Sequence, residues 1–209
     1  MNRPLVVTDC DEVLLHMVRH FRDWLGEAHD IEFSLEGNPF SQAMKRRGAA
    51  EPLSEEESWA LLKDFFRSEM GRQTPIEGSV DAIAELQRDA DVVVLTNLVD
   101  EFNEDRRRQL LGHGIEARIF TNQGPKGEAL RRIVEEFAPS RAVFIDDIAK
   151  HHASAAEILP DTFRLHFCGE PAIARYVPCA HEGGHAHARI DNWQEALPWL
   201  LETLHGVKS

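Results

Sequence analysis

The chain is poor in cysteine, in basic runs and in long apolar stretches, and each shortage removes a class of function. Its three cysteines, Cys10, Cys168 and Cys179, are scattered and form no CxxC pair. That pattern points to a reduced compartment rather than a disulfide framework or a zinc site. No apolar run approaches the ~20 residues that a membrane-spanning helix needs. The opening Met1-Asn2-Arg3-Pro4 runs into only a short apolar stretch before Asp9, too short for a signal peptide. A cytoplasmic protein is the expectation. Positive charge is scarce as well: 23 Lys and Arg face 36 Asp and Glu, a formal net charge of −13 over 209 residues. Such a surface repels nucleic-acid backbones and anionic membranes, so neither is expected as a partner. The one basic run, Arg106-Arg107-Arg108, reads as a solvated helix face. An anionic substrate would therefore need a local positive device, either a lysine or a metal. Internal repeats and low-complexity segments are also missing.

What the chain has is a βαβ rhythm. Leu5-Val6-Val7, Val92-Val93-Val94-Leu95 and Ala142-Val143-Phe144-Ile145 are continuous apolar runs, as expected of parallel strands covered on both faces. Shorter candidates are Ala117–Phe120, Phe163–His166 and Ala188–Ile190. Helix-like segments alternate with them: Val80–Leu86, Glu104–Leu111, Lys126–Phe137, Ala153–Leu159 and an apolar-rich Trp193–Leu204. Ser79 is placed to cap the first of these, Gly112 and Gly114 to stop the second, and Pro198 to kink or start the last. Trp193, Trp199 and Leu200 are expected to pack on the sheet. The fold class is thus α/β with a parallel sheet.

Residues 15–78 break the rhythm. Leu14, Leu15, Met17, Val18, Phe21, Trp24 and Leu25 recur at helical spacing. A polar turn follows around Glu36-Gly37-Asn38-Pro39, and Ser54 with Glu57 fits a capping box that opens a second helix through Phe66. Pro75 and Gly78 mark the return. The stretch looks like a helical insertion after the first strand.

Ligands of parallel α/β sheets bind outside the carboxyl ends of the strands, and polar residues collect there in this chain. The first strand runs out into Asp9-Cys10-Asp11-Glu12-Val13. Two close carboxylates persist mainly where a cation binds or a proton is handled, though they also end strands and cap helices. The second long run ends in Thr96-Asn97, groups that can donate to an anion or simply make a turn. Lys126 opens a helix, where it opposes the macrodipole unless a negative group is near. The run ending at Ile145 leads into Asp146-Asp147, a pair suited to a hard cation such as Mg2+.

In that order and context, the acid pair Asp9/Asp11, Thr96, Lys126 and the acid pair Asp146/Asp147 resemble the four motifs of the haloacid dehalogenase superfamily. The resemblance covers roughly residues 1–14 and 76–166. It implies a Rossmann-like core over residues 1–14 and 76–209, with residues 15–75 inserted as a small helical cap. It further implies a Mg2+-dependent hydrolase of small phosphate esters. Asp9 would be the nucleophile and Asp11 the acid–base. Thr96, Asn97 and Lys126 would bind substrate. The metal would lie at Asp9, the Asp11 backbone carbonyl, Asp146 and Asp147. Asp11 counts against the dehalogenase and phosphonate-cleaving branches, and Lys45 and Lys63 read as solvated cap lysines. His151 stands where related sequences often carry Asn. His151-His152 fit poorly as joint metal ligands, because adjacent helical residues diverge. The stretch Cys179 to His187, with His181, His185 and His187, meets no standard zinc spacing and reads as a surface or contact loop. Two other readings share these residues: an inactive relative that binds a phospho-ligand or partner protein, and a mutase that transfers the phosphoryl group.

Overall fold

A computed structural model describes residues 2–36 and 39–206, so Gly37 and Asn38 of the expected turn lie outside the described residues. Six strands form one sheet: β1 (Leu5–Thr8), β4 (Asp91–Thr96), β5 (Arg118–Thr121), β6 (Ala142–Asp146), β7 (Phe163–His166) and β8 (Ala188–Arg189). Their spatial order is β5-β4-β1-β6-β7-β8, and every pairing is parallel. The chain builds outward from β1 on one side, through α3 (Ser79–Asp89) and α4 (Asn103–Gly112). It then crosses back through α5 (Gly127–Phe137) to the other side, continuing with α6 (Ala149–Ile158). The reversal at β1 makes its carboxyl end the place where the connecting loops diverge and a crevice opens.

Apolar alternation covers both faces of the sheet. Val6, Val92, Val94, Val143 and Ile145 meet Ile83 and Leu86 of α3 and Trp193, Ala196 and Leu200 of α8 (Trp193–His205). Leu5, Val7, Val93, Leu95 and Phe144 face Leu130 and Ile133 of α5 and Ala155 of α6. Helix α8 runs unbroken through Pro198, capped by the Asn192 side chain. Trp193 is buried, and its indole N–H donates to the Val13 carbonyl at 2.8 Å, so α8 holds the loop that follows β1.

Between β1 and α3 lie α1 (Val18–His29), the antiparallel pair β2 (Ile31–Phe33) and β3 (Met44–Arg46), and α2 (Glu55–Ser68). The expected capping box opens α2: Ser54 Oγ accepts from Glu57 N at 3.2 Å and Glu57 accepts from Ser54 N at 3.0 Å. Two expectations fail here. Leu14 and Leu15 are not helical, since Leu15 bridges Asp11 and Pro75, and α1 starts only at Val18. Ser79 lies inside α3 and donates to the Leu14 carbonyl, while Gly78, at φ +81°, takes the N-cap position. The three-residue strands β2 and β3 also escaped the sequence pattern, being too short to show alternation. Phe21, Trp24, Leu25, Phe65 and Phe66 form a separate apolar cluster that reaches Leu98 and Phe102, so the inserted segment docks on the loop after β4.

Replacing Trp193 with Ala removes a buried indole and strands the Val13 carbonyl. We expect the variant to lose about 3–5 kcal/mol of unfolding free energy, read from urea denaturation. A loss below about 1 kcal/mol would show that α8 does not hold that loop.

Candidate active site

Register places the site. Thr8 pairs with Val94 on one side and Ile145 on the other, so Asp9, Thr96 and Asp146 leave three adjacent strands at the same edge. The Asp9 amide continues the ladder by donating to the Ile145 carbonyl at 2.8 Å. Lys126, the residue before α5, is wholly buried and sends Nζ between two carboxylates: Asp9 Oδ1 at 2.9 Å and Asp146 Oδ2 at 2.7 Å. Asp9 Oδ1 also accepts from the Cys10 amide at 2.7 Å. Asp147 is buried beside them, and one oxygen from each of Asp9, Asp146 and Asp147 lies within 4.8 Å of the others.

Electrostatics follows from crowding. Burial, with the charges of Asp146 and Asp11, pushes Asp9 up to about 7 despite Lys126. Burial and the charges of Asp146 and Asp9 also lift Asp147 well above the carboxylate range. Burial would raise Asp146 too, but Lys126, helped by His151 and His152, carries it below its ordinary value. Both neighbouring carboxylates hold Lys126 above the usual lysine range despite its burial. Three carboxylates around one ammonium leave an excess of two negative charges when all are ionised. An all-oxygen cluster with that charge fits one hard divalent cation such as Mg2+.

Backbone carbonyls of the acid pair are propped from behind. His152 Nε2 lies 2.9 Å from the Asp146 carbonyl and His166 Nε2 lies 2.9 Å from that of Asp147. The Ala180 amide donates to His166 Nδ1, which leaves Nε2–H as the donor. His181 and His187, from the loop after Cys179, bond to backbone groups of Ala186 and Arg164. Thr96 is buried at the end of β4. Asn97 is exposed and turned sideways, its amide donating to the Gly124 carbonyl and its oxygen accepting from Asn122. His151 Nε2 lies 3.4 Å from that amide nitrogen.

Asp11 points elsewhere. Both of its oxygens accept from Arg106, at 2.9 and 3.0 Å, and Oδ1 also accepts from Gln73 at 2.7 Å. Arg106 is fully buried, lies over the Phe66 ring and donates to Cys10 Sγ. This corrects the reading of the arginine run: Arg107 and Arg108 pair with Glu104 and Asp105 on the exposed face, but Arg106 turns inward. The missed signal was periodicity. Phe102 and Leu110, four residues either side of Arg106, are both buried, and the three share a helical stripe.

Glu12 was not singled out by sequence, yet it is buried with φ at +61°. Its Oε1 accepts from the Met17 and Val18 amides at 2.9 and 2.6 Å, which fixes where α1 begins. Burial pushes this carboxyl up to about 8, in spite of those two bonds.

No protein-family model matches the chain, and no curated protein matches it. Solved structures do. A haloacid dehalogenase-like hydrolase from Streptococcus pneumoniae aligns at TM-score 0.65 with 14% identity, over 94% of this chain and 97% of its own. A HAD family hydrolase from Deinococcus radiodurans, with bound phosphate and sodium, aligns at 0.67 with 14% identity, over 95% of each chain. A candidate β-phosphoglucomutase from Thermotoga maritima aligns at 0.64 with 15% identity, over 95% of this chain and 99% of its own. The chain has the haloacid dehalogenase-like fold. In this chain Asp9, Thr96, Lys126 and Asp146 gather at one edge of that sheet.

A cation held by Asp9, Asp146 and Asp147 must displace the protons that burial keeps on Asp9 and Asp147. With Asp9 near 7, displacement of its proton alone should make Mg2+ bind about fivefold tighter at pH 7 than at pH 6, and the proton on Asp147 adds to that rise. Calorimetry in buffers of different ionisation enthalpy should register the released proton. An affinity constant from pH 5.5 to 8 would refute this picture of the cluster.

Proposed function

We propose that the chain is a Mg2+-dependent phosphomonoesterase of a small phosphorylated metabolite. The observation that carries this reading is the buried Asp9–Lys126–Asp146 cluster at the carboxyl edge of a haloacid dehalogenase-like sheet. The side chains of Asp9, Asp146 and Asp147, with the Asp11 backbone carbonyl, would hold Mg2+. Bound there, the ion supplies positive charge that relieves the repulsion between a carboxylate nucleophile and a phosphate dianion. Asp9 attacks phosphorus and displaces the leaving oxygen, forming an aspartyl-phosphate. Thr96 and Lys126 hold the transferring oxygens, where negative charge gathers. Asn97 fixes the neighbouring loop through Gly124 and Asn122 and borders the substrate. Asp11 gives a proton to the leaving oxygen and later takes one from the attacking water. For that it must exchange its bonds to Arg106 and Gln73 for the substrate.

Residues 15–75 serve as the cap, whose aromatic cluster docks over the loop after β4 and restricts the crevice to small molecules. The free cysteines, two of them buried, suit a cytoplasmic location. One observation favours a second reading, phosphoryl transfer to another hydroxyl. With Asp11 clamped by Arg106, the aspartyl-phosphate lacks its base and persists long enough for a second acceptor to arrive. The Thermotoga maritima neighbour bears a name of that kind.

A screen of phosphorylated metabolites, with and without Mg2+, tests the proposal. Asp9→Asn should abolish phosphate release while the circular dichroism spectrum stays unchanged. Asp11→Asn should slow turnover by ~10²–10⁴-fold on a sugar phosphate and by less on an activated aryl phosphate, whose departure needs no proton. Mass spectrometry of the quenched Asp11→Asn protein should show phosphate on Asp9. Equal losses on both substrates with no adduct would remove Asp11 from the chemistry. Phosphate esters that bind and are never cleaved would indicate a phospho-ligand-binding relative instead.

A further inference from the structure

A second cluster of ligating side chains lies where the inserted segment leaves the core. One carboxylate oxygen of Glu12, one ring nitrogen of His16 and one carboxylate oxygen of Glu170 lie within 4.8 Å of one another, and all three residues are buried. They come from three separate pieces of chain. Glu12 follows β1, His16 precedes α1, and Glu170 follows β7, with the Gly169 amide donating to the Glu12 carbonyl at 2.7 Å to join the first piece to the third.

One atom in this cluster has no partner. Glu12 Oε2 is fully buried and accepts nothing, although Oε1 of the same carboxylate accepts two amides. His16 Nδ1 stands 3.1 Å from Glu170 Oε2 as an ion pair. An orphaned carboxylate oxygen buried at this depth is costly, so the arrangement calls for an occupant. The groups are also spaced for one. Donor atoms on one tetrahedral zinc lie about 3.3 Å apart, and His16 Nδ1 and Glu170 Oε2 already stand 3.1 Å apart.

Arg19 accounts for the present charge balance. Its Nε donates to Glu170 Oε2 at 2.8 Å, while its side chain remains 43% exposed. With nearly half of its side chain already in solvent, it can swing away from Glu170 at a modest cost in burial. Once Glu12, which burial pushes up to about 8, releases its proton to the incoming ion, the two carboxylates offer two negative charges for a divalent cation to neutralise. The imidazole nitrogen in the donor set favours zinc or a late transition metal over magnesium, which prefers oxygen alone.

We infer that Glu12, His16 and Glu170 form a second divalent-metal site, selective for Zn2+ over Mg2+, which ties the start of the inserted segment to the loop after β7. Arg19 competes with the ion for Glu170. The site shares no donor side chain with the proposed catalytic cluster and does not depend on the phosphatase reading.

The test uses the full chain, dialysed with Zn2+ in a large excess of Mg2+, with zinc counted by plasma mass spectrometry and affinity measured by calorimetry. Wild type should retain one zinc per chain and unfold at a higher temperature with it. His16→Asn and Glu170→Gln should each lose that zinc. Asp9→Asn should keep it, which separates this site from the catalytic cluster. Arg19→Gln should bind several-fold tighter, an effect that a merely structural ion pair cannot give. Zinc that stays with His16→Asn but leaves with a triple His181/His185/His187→Ala variant would overturn the assignment. No retained zinc in wild type, or weaker binding in Arg19→Gln, would overturn it equally.

Discussion

The buried ammonium of Lys126 is the interaction on which the arrangement of the sheet edge depends. Asp9 and Asp146 leave neighbouring strands in register and would repel each other in a region that water does not reach. Lys126 meets both, so each carboxylate keeps a partner, and the lysine becomes affordable in the interior only because both are present. Its placement makes demands further out. A lysine at the start of α5 opposes the helix dipole, a penalty the two carboxylates outweigh. It also requires α5 and α6 to approach closely. At Gly127 an added Cβ would lie 2.5 Å from the Ser154 carbonyl and hydroxyl oxygens, while the Gly127 amide donates to that same hydroxyl. Glycine is needed there so that Lys126 can reach the sheet.

A second buried cation organises the opposite side of the crevice. Arg106 joins Asp11 to Gln73 and Gln109, and Gln73 belongs to the return of the inserted segment. The guanidinium therefore couples three parts of the chain: the loop after β1, the end of the insertion, and α4. With Asp11 bonded through both oxygens to Arg106, the proposed acid–base is held aside while Asp9, the proposed nucleophile, sits beside Lys126. Asp9 and Asp11 are two residues apart but engage different cations, so the pair behaves as two separate centres rather than as a shared-proton dyad.

Much of this was legible in the sequence. Continuous β-branched runs marked β1, β4 and β6, and polar residues following each run marked one edge of the sheet. What stayed hidden has a common physical origin. Arg106 looked like part of a charge run because its inward direction depends on a partner 95 residues away. Ser79 looked like a cap, but the Leu14 carbonyl claimed its hydroxyl and Gly78 supplied the left-handed turn. Leu14 and Leu15 fitted a helical stripe, yet Glu12 set the start of α1 by capping from a distance of five and six residues. His152 stood in the sequence only as a poor joint metal ligand and His166 only as the end of a short strand, yet the fold brings both behind two carbonyls. For Arg106, Ser79, His152 and His166 local pattern gave the element while a polar partner outside that element decided the role; for Leu14 and Leu15 the stripe misplaced the element itself.

The segment Asp9 to Glu12 shows why the insertion sits where it does. Asp9 turns to Lys126, Cys10 lies in the apolar core, Asp11 turns to Arg106, and Glu12 turns to the amides that open α1. Four successive side chains thus address four different parts of the molecule. Glu12 pays for this with a left-handed backbone that glycine would adopt more freely, a strain on the order of 1–2 kcal/mol for a residue with a Cβ. What the glutamate adds is a carboxylate that two helix amides require, so the strain is offset at the start of α1. The position of α1, and with it the aromatic cluster that reaches the loop after β4, is consequently set by the same short segment that places Asp9 beside Lys126.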